Sequence, residues 1–324
     1  MRKELLEGGY YEPVKDRWHP PRLLPESAMK RALLVIAVFI IFVYALLVGT
    51  LAWMQASLIY NPTATVRMTS QEWEWHDVAG DDGFKAYLRK GDPDKPIVVF
   101  YHGRSQGLWS IDASTRHYAR AGWTVLAPEY PGFAGLAGEP SEEALDRLVD
   151  AVHEDVVTMG YGPDRIVIQG NSLGAGPALS MASRPHSLLV LTAPVASMAE
   201  IVDGVAPFFP HLLLYNGWDN ENRARHVAAS RSMVFHARDD SVVPYDHGER
   251  LASHLDKLGV PHDVKTYDNV GHSYMNNHQG FIFKKLGPLP PLRSRFDANA
   301  SEDSWQRVLV FFEKVFSGEI TAAG

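Results

Sequence analysis

Apolar positions fall along this chain in two regimes: one long unbroken run near the start, then short runs alternating with helical periodicities. Residues 32–54, ALLVIAVFIIFVYALLVGTLAWM, pass 23 positions without a charge. A helix rises 1.5 Å per residue, so about 20 apolar residues reach across the hydrocarbon core of a bilayer. A buried core helix of that length normally keeps a polar stripe, and this run has none. It is longer than the apolar region of a signal peptide and starts late, and Met54-Gln55-Ala56 makes a poor small-x-small cleavage site. An uncleaved single transmembrane helix over residues 32–54 is expected, with the bilayer as its partner.

Beyond residue 58 the runs shorten. Residues 84–89 read as a strand after the turn signal Asp82-Gly83, and IVVFY at 97–101 is continuous apolar, as a strand buried on both faces requires. Residues 123–126, 166–168, 188–191, 233–235 and 264–267 repeat the strand signal. Between them Leu145, Leu148, Val149, Val152 and Val156 recur at helical spacing and stop at Gly160. Further helices are expected from about 245 to 257, ending at Gly259, and at 304–316. Strands alternating with helices predict an α/β fold, a mostly parallel twisted sheet with helices on both faces. The stretch between residues 191 and 233 is longer than a typical connection. It holds Phe208, Phe209, Leu212, Leu213, Leu214, Tyr215 and Trp218, so a short lid insertion is expected at about 195–230. The expected organisation is an N-terminal tail at 1–31, a span at 32–54, a catalytic body at 58–316 and a tail at 317–324.

Charge adds orientation. The twenty residues before the span contain Lys15, Arg17, Arg22, Lys30 and Arg31, and the twenty after it only Arg67. The positive-inside rule then puts the N-terminus in the cytoplasm and the body on the extracytoplasmic side, periplasm or lumen. A net charge of −7 and the lack of a basic stripe in the body argue against nucleic acid as a partner. With no cysteine, disulfides, thiolate catalysis and Cys-ligated metals are excluded.

Two stretches fit G-x-S-x-G: Gly103-Arg104-Ser105-Gln106-Gly107 and Gly170-Asn171-Ser172-Leu173-Gly174. A nucleophile elbow needs a strand, a sharp strained turn and a helix with almost no spacer. The strand signal at 166–168 leads directly into Gly170 and Ser172, and small residues follow at Gly174, Ala175, Gly176 and Ala178. A helix N-terminus there points partial positive charge at an oxyanion forming on Ser172. Ser105 is separated by Leu108-Trp109-Ser110-Ile111 from the next expected helix, and His102-Gly103 reads instead as a loop supplying an oxyanion-hole N–H. Ser172 is therefore the expected nucleophile. A serine needs a base, and the base an orienting carboxylate. His272 follows the strand at 264–267, and Asp239 and Asp240 follow the strand at 233–235, in the chain order Ser, Asp, His that the fold requires.

With these residues in place the chain resembles the α/β-hydrolase superfamily. Within it, the likeness is to membrane-anchored serine hydrolases of the abhydrolase-domain type, similar to lysophospholipases and monoacylglycerol lipases. It rests on Leu58-Ile59-Tyr60-Asn61-Pro62 after the span, His102-Gly103, Tyr130-Pro131-Gly132-Phe133-Ala134-Gly135, Gly138-Glu139-Pro140-Ser141-Glu142, the elbow Gly170 to Gly174, Asp240-x-x-Val243-Pro244 and Gly271-His272. The resemblance implies the acid four residues before the proline, Asp240 rather than Asp239. It also implies an oxyanion hole from the backbone N–H groups of Leu173 and Arg104, the latter where relatives often carry Asn. Its guanidinium is expected at the pocket rim.

No H-E-x-x-H, other close His/carboxylate grouping, G-x-G-x-x-G or Walker A sequence is present, so neither metal nor cofactor is expected. His153, His226, His236 and His278 are expected as surface or core residues. The expected activity is metal-free cleavage of carboxylic, lipophilic acyl esters through an acyl-enzyme. Peptidase, amidase, thioesterase or acyltransferase chemistry on the same triad, and an inactive membrane-tethered binding module, are the alternatives.

Overall fold

The structure, a computed structural model, describes residues 26–63, 72–80, 82–272, 274–275, 282–283, 292–293 and 296–316. Most of the expected N-terminal tail, all of the C-terminal tail at 317–324, Arg67 and His278 lie outside these residues. Helix α1 (Glu26–Tyr60) has 35 residues and outruns the apolar run at both ends. Ala28, Met29, Lys30 and Arg31 are good helix formers, and nothing breaks the helix until Asn61, which takes φ 48° ahead of Pro62. The helix thus contains the expected span at 32–54 and continues past it on both sides. Residues 27–60 form the one helix, among the described residues, long and apolar enough to cross a membrane.

The chain divides into two compact units, Met1–Thr50 and Leu51–Gly324. In the first, Leu33, Ile36, Phe39, Ile40 and Phe42 all stand exposed around the helix. The second unit carries the last ten residues of α1.

The second unit continues with β1 (Glu74–Asp77), β2 (Lys85–Arg89), β3 (Ile97–Tyr101), α2 (Leu108–Arg120), β4 (Thr124–Pro128) and α3 (Glu142–Thr158). Next come β5 (Ile166–Asn171), α4 (Ala175–Met181), β6 (His186–Thr192), α5 (Met198–Val205) and α6 (Asn220–Ala224). The chain closes with β7 (Ala229–Ala237), α7 (Asp246–Leu258), β8 (His262–Tyr267), the short strands β9 (Ile282–Phe283) and β10 (Leu292–Arg293), and α8 (Ala298–Phe316). The main sheet runs β1-β2-β4-β3-β5-β6-β7-β8, antiparallel at β1-β2 and β2-β4 and parallel elsewhere.

The continuous apolar runs have a simple cause. Ile97, Val99, Tyr101, Ile166 and Ile168 face one core with Leu145, Val149 and Val152 of α3 and Leu251 and Leu255 of α7. Val98, Phe100, Val167, Leu188 and Val190 face the other with Ile111 and Tyr118 of α2 and Trp305 and Phe312 of α8. Each strand residue is covered by helices whichever way it points, and each fully buried Val, Ile or Leu contributes about 1.5–3 kcal/mol.

Helix α2 begins earlier than expected, at Leu108, so the segment 108–111 is its first turn and not a spacer ahead of it. Leu108, Ile111, Thr115 and Tyr118 are its buried stripe, but polar residues between them dilute the signal, and Trp109 points outward at 45% exposure. Strand β1 is an edge strand with little burial and hence no apolar pattern.

One buried group makes stability depend on pH. His186 at the head of β6 donates from Nδ1 to the Arg184 carbonyl at 2.7 Å, and its Nε2 meets no polar partner among the described residues. Burial pushes its pKa down to about 4. The unfolded chain takes up a proton near pH 6.5 that the folded chain refuses, so stability is full above that pH and is lost as pH falls toward 4. The loss approaches about 3 kcal/mol at pH 4. Denaturant unfolding from pH 7 to 4 should show a shallower decline for His186→Gln; an unchanged decline would refute this role.

Candidate active site

Strand β5 ends at Asn171, and Ser172 follows without a spacer at φ 55°. A side chain in this left-handed region is strained by about 1–3 kcal/mol and persists because its surroundings hold it. Two close approaches build the turn. A Cβ on Gly170 would lie 2.6 Å from Ala178 Cβ of α4, and one on Gly174 would lie 2.1 Å from the Tyr101 carbonyl oxygen of β3. Only glycine lets the turn sit this tightly between two strands and a helix.

Positive φ does not separate the two serines, because Ser105 has φ 58°. Position and partners do. Three residues stand between β3 and Ser105, whose hydroxyl accepts from Asn61 Nδ2 at 2.6 Å and Arg104 Nη1 at 3.3 Å. Ser105 is thus set off from the strand before it, whereas Ser172 follows its strand directly. Ser172 instead donates from Oγ to His272 Nε2 at 2.8 Å. His272 Nδ1 in turn donates to Asp240 Oδ2 at 2.6 Å, which fixes the tautomer because an ionised carboxylate only accepts.

The two aspartates are told apart here. Asp240 is buried, and its Oδ1 accepts from the Val242 and Val243 N–H groups at 2.8 and 2.9 Å. Asp239 is exposed and accepts from Asn269 N at 2.7 Å, a turn cap. Burial alone would raise the Asp240 pKa; the charge of His272 and hydrogen bonds from His236 and His272 outweigh it and hold the carboxyl well below its ordinary value. His236 is core, as expected, yet its placement carries more than packing. Its Nε2 lies 3.1 Å from the Val243 carbonyl and 3.4 Å from Asp240 Oδ2. The imidazole four residues before the acid is the signal that sequence reading left unused.

The first G-x-S-x-G stretch has its own task. Gln106 Oε1 accepts from Gly103 N at 2.6 Å and from Asn171 Nδ2 at 3.2 Å, stitching the loop after β3 to the residue before Ser172. A Cβ on Gly103 would lie 3.4 Å from Ser172 Cβ. His102 is buried, 3.0 Å from Glu129 Oε1 and stacked on Tyr130, whose hydroxyl donates to the His102 carbonyl at 2.7 Å. Leu173 opens the turn that leads into α4. The Arg104 guanidinium turns to the end of α1, where Nε donates to the Leu58 carbonyl at 3.1 Å, and burial lowers its pKa to about 10. This replaces the expected place at a pocket rim.

The segment between β6 and β7 lies against the turn at Ser172. Val195 N donates to the Ser172 carbonyl at 3.4 Å, and a Cβ on Gly176 of α4 would collide with the Trp218 ring at 2.2 Å. One acidic grouping was not foreseen: Glu200, Asp246 and His247 gather close enough to hold an ion. Arg250 already occupies it, donating to Glu200 Oε1 and Oε2 at 2.9 and 2.5 Å.

The dienelactone hydrolase family profile matches residues 84–316, the whole sheet from β2 onward and α8. The chain belongs to the dienelactone hydrolase family. Its fold is accordingly the α/β-hydrolase fold, and the family is one of ester-hydrolysing enzymes. Lysophosphatidylserine lipase ABHD12 of Bos taurus is 26% identical over 214 residues, covering 58% of this chain and 52% of that protein. The chain thus spans about half the length of the curated relatives it matches first. Among solved structures, a puromycin-hydrolyzing peptidase of Mycobacterium tuberculosis superposes with TM-score 0.56 at 18% identity, over 77% of this chain and 40% of that one. A carboxylesterase of Lactobacillus plantarum gives TM-score 0.54 at 13% identity, over 75% of this chain and 98% of that one. Esterase and peptidase share this family's fold, so the fold alone does not choose between their bonds.

Proposed function

We propose that this member of the dienelactone hydrolase family is a membrane-anchored serine esterase that cleaves lipophilic acyl esters through an acyl-enzyme. The observation that carries the reading is the unbroken line from Ser172 Oγ through His272 to Asp240 at 2.8 and 2.6 Å. In this reading His272 Nε2 takes the Ser172 proton as Oγ bonds to the ester carbonyl carbon. The backbone N–H groups of Leu173 and Arg104 receive the oxyanion, while the Gly103 N–H donates to Gln106 and holds the loop. Collapse of the tetrahedral intermediate breaks the bond to the alcohol, which departs with the proton from His272. Water then repeats the sequence, loses its proton to His272 and releases the acid. Asp240, ionised throughout, orients the imidazole and stabilises its cation. No metal or other cofactor takes part.

The anchor is α1, with the N-terminus cytoplasmic and the body extracytoplasmic; the chain then falls into a tail, a span, a body with its lid and a C-terminal tail. A lipid ester as substrate is supported by the lipase among the relatives and by the lid's apolar crest. Leu212 is 94% exposed and Phe208, Leu213 and Tyr215 are exposed beside it.

Two measurements test the reading. A fluorophosphonate probe should label Ser172, and no label there would remove the serine-hydrolase reading. Across an acyl-ester series kcat/KM should rise from acetyl to medium or long chains, by up to about four-fold per buried methylene at 0.8 kcal/mol each. Leu213→Asp or Leu214→Asp should flatten that rise. A preference for acetate, or for peptide amides alone, would overturn the lipid-ester assignment and leave the triad standing.

A further inference from the structure

The last turn of α1 poses a question of hydrogen bonding. A helix leaves its final four carbonyls without intrahelical donors, and near a bilayer an unpaired carbonyl is costly. A simple tether satisfies them with its own following residues, as Asn61 N does for the Ser57 carbonyl at 3.0 Å. Two of the others are satisfied from more than forty residues away. Arg104 Nε donates to the Leu58 carbonyl at 3.1 Å, and Ser105 N donates to the Tyr60 carbonyl at 3.1 Å. The guanidinium also places positive charge at the negative end of the helix. Asn61 Nδ2 adds a third tie, to Ser105 Oγ at 2.6 Å.

The same turn holds the lid. Gln55 is buried, and its amide pairs with the insertion as a strand would: Nε2 donates to the Leu213 carbonyl at 2.9 Å and Oε1 accepts from Tyr215 N at 3.2 Å. Tyr60, fully buried, donates to Asn216 Oδ1 at 3.1 Å and accepts from Trp218 Nε1 at 3.0 Å. Trp218 is the ring packed on Gly176, one turn beyond Ser172.

We propose that Gln55, Tyr60 and Arg104 are positioning residues, through which the end of α1 clamps both the loop carrying the Arg104 N–H and the insertion packed beside Ser172. The clamp deepens the serine-esterase reading and rests on it. Its two jaws have separable consequences. Loosening the Arg104 jaw displaces an oxyanion donor, which acts on the transition state and hence on kcat. Loosening the Gln55 and Tyr60 jaw frees the lid, which acts on how long acyl chains bind.

The test uses the full-length chain in detergent micelles with p-nitrophenyl acetate and p-nitrophenyl decanoate, and a fluorophosphonate to titrate Ser172. Arg104→Met should lower kcat on both esters by about ten-fold or more, with KM near the parental value, since a misplacement near 1 Å can cost about a hundred-fold. Arg104→Lys, whose ammonium still reaches a helix-terminal carbonyl, should restore part of the loss. Gln55→Leu and Tyr60→Phe should raise KM for the decanoate by a larger factor than for the acetate. Parental kcat and labelling rate in Arg104→Met would overturn the clamp, as would an effect on KM alone, which makes Arg104 a substrate-binding group. Should Arg104→Met fail to fold, the Arg104→Lys kcat and the decanoate-to-acetate KM ratio of Gln55→Leu decide in its place. Parental protein that takes no label at Ser172 overturns the esterase reading itself, whereas a labelled parent with insensitive variants overturns only the clamp.

Discussion

Ser172→Ala is expected to abolish both ester hydrolysis and fluorophosphonate labelling, while Ser105→Ala keeps most of the activity. The two serines share the G-x-S-x-G pattern and a left-handed backbone, so the contrast isolates what differs between them. Ser172 Oγ donates to an imidazole that a buried carboxylate orients, and no other group in the proposed mechanism attacks the ester. In a well-studied triad the loss of the nucleophile costs about a million-fold in kcat, with a residual near 10³–10⁴ over water from the oxyanion hole and binding. Ser105 Oγ is tied to Asn61 in a solvent-exposed hydrogen bond, of the kind that is worth little net. Steady-state assays with a soluble ester decide it. A dead Ser105→Ala beside an active Ser172→Ala would reverse the assignment.

The second large effect is expected from Asp240→Asn, of order ten-thousand-fold in kcat, against a small effect from Asp239→Asn. An amide at 240 accepts less well from His272 Nδ1–H and offers an N–H of its own, which favours the wrong tautomer. Its Oδ1 contacts with the Val242 and Val243 N–H groups can survive the change, so the loss reads chemistry more than folding. Asp239 holds only Asn269 N in an exposed turn. Kinetics of the two variants at matched thermal stability are the measurement. Equal losses would mean that the two carboxylates act as a unit.

The sequence by itself determined the features written in neighbouring residues. An apolar run repeated between helices can only be a strand covered on both faces, so the parallel sheet follows locally. The elbow is likewise local: β5, Ser172 and α4 are contiguous, and the small residues that permit the turn stand beside the serine they serve. His272 was reachable because it ends the next strand pattern in the required order. The strand pattern narrowed the candidate acid to an adjacent pair, and the resemblance ranked Asp240 first by its spacing before Pro244. In the structure Asp240 is the carboxylate beside the His272 imidazole, 32 residues away.

Tertiary structure alone decided whatever joins distant segments. Gln106 meets Asn171 across 65 residues, and His272 meets Asp240 across 32. The start of helix α2 was placed too late because its inward stripe is sparse among polar residues and is completed only by the sheet it covers. The end of α1 reads in the sequence as the tail of a membrane span. Its carbonyls and its one buried amide find their partners at Arg104, Ser105, Leu213 and Tyr215. Hydrogen bonds across such separations leave no periodicity behind, because each end satisfies a need that only the folded chain creates.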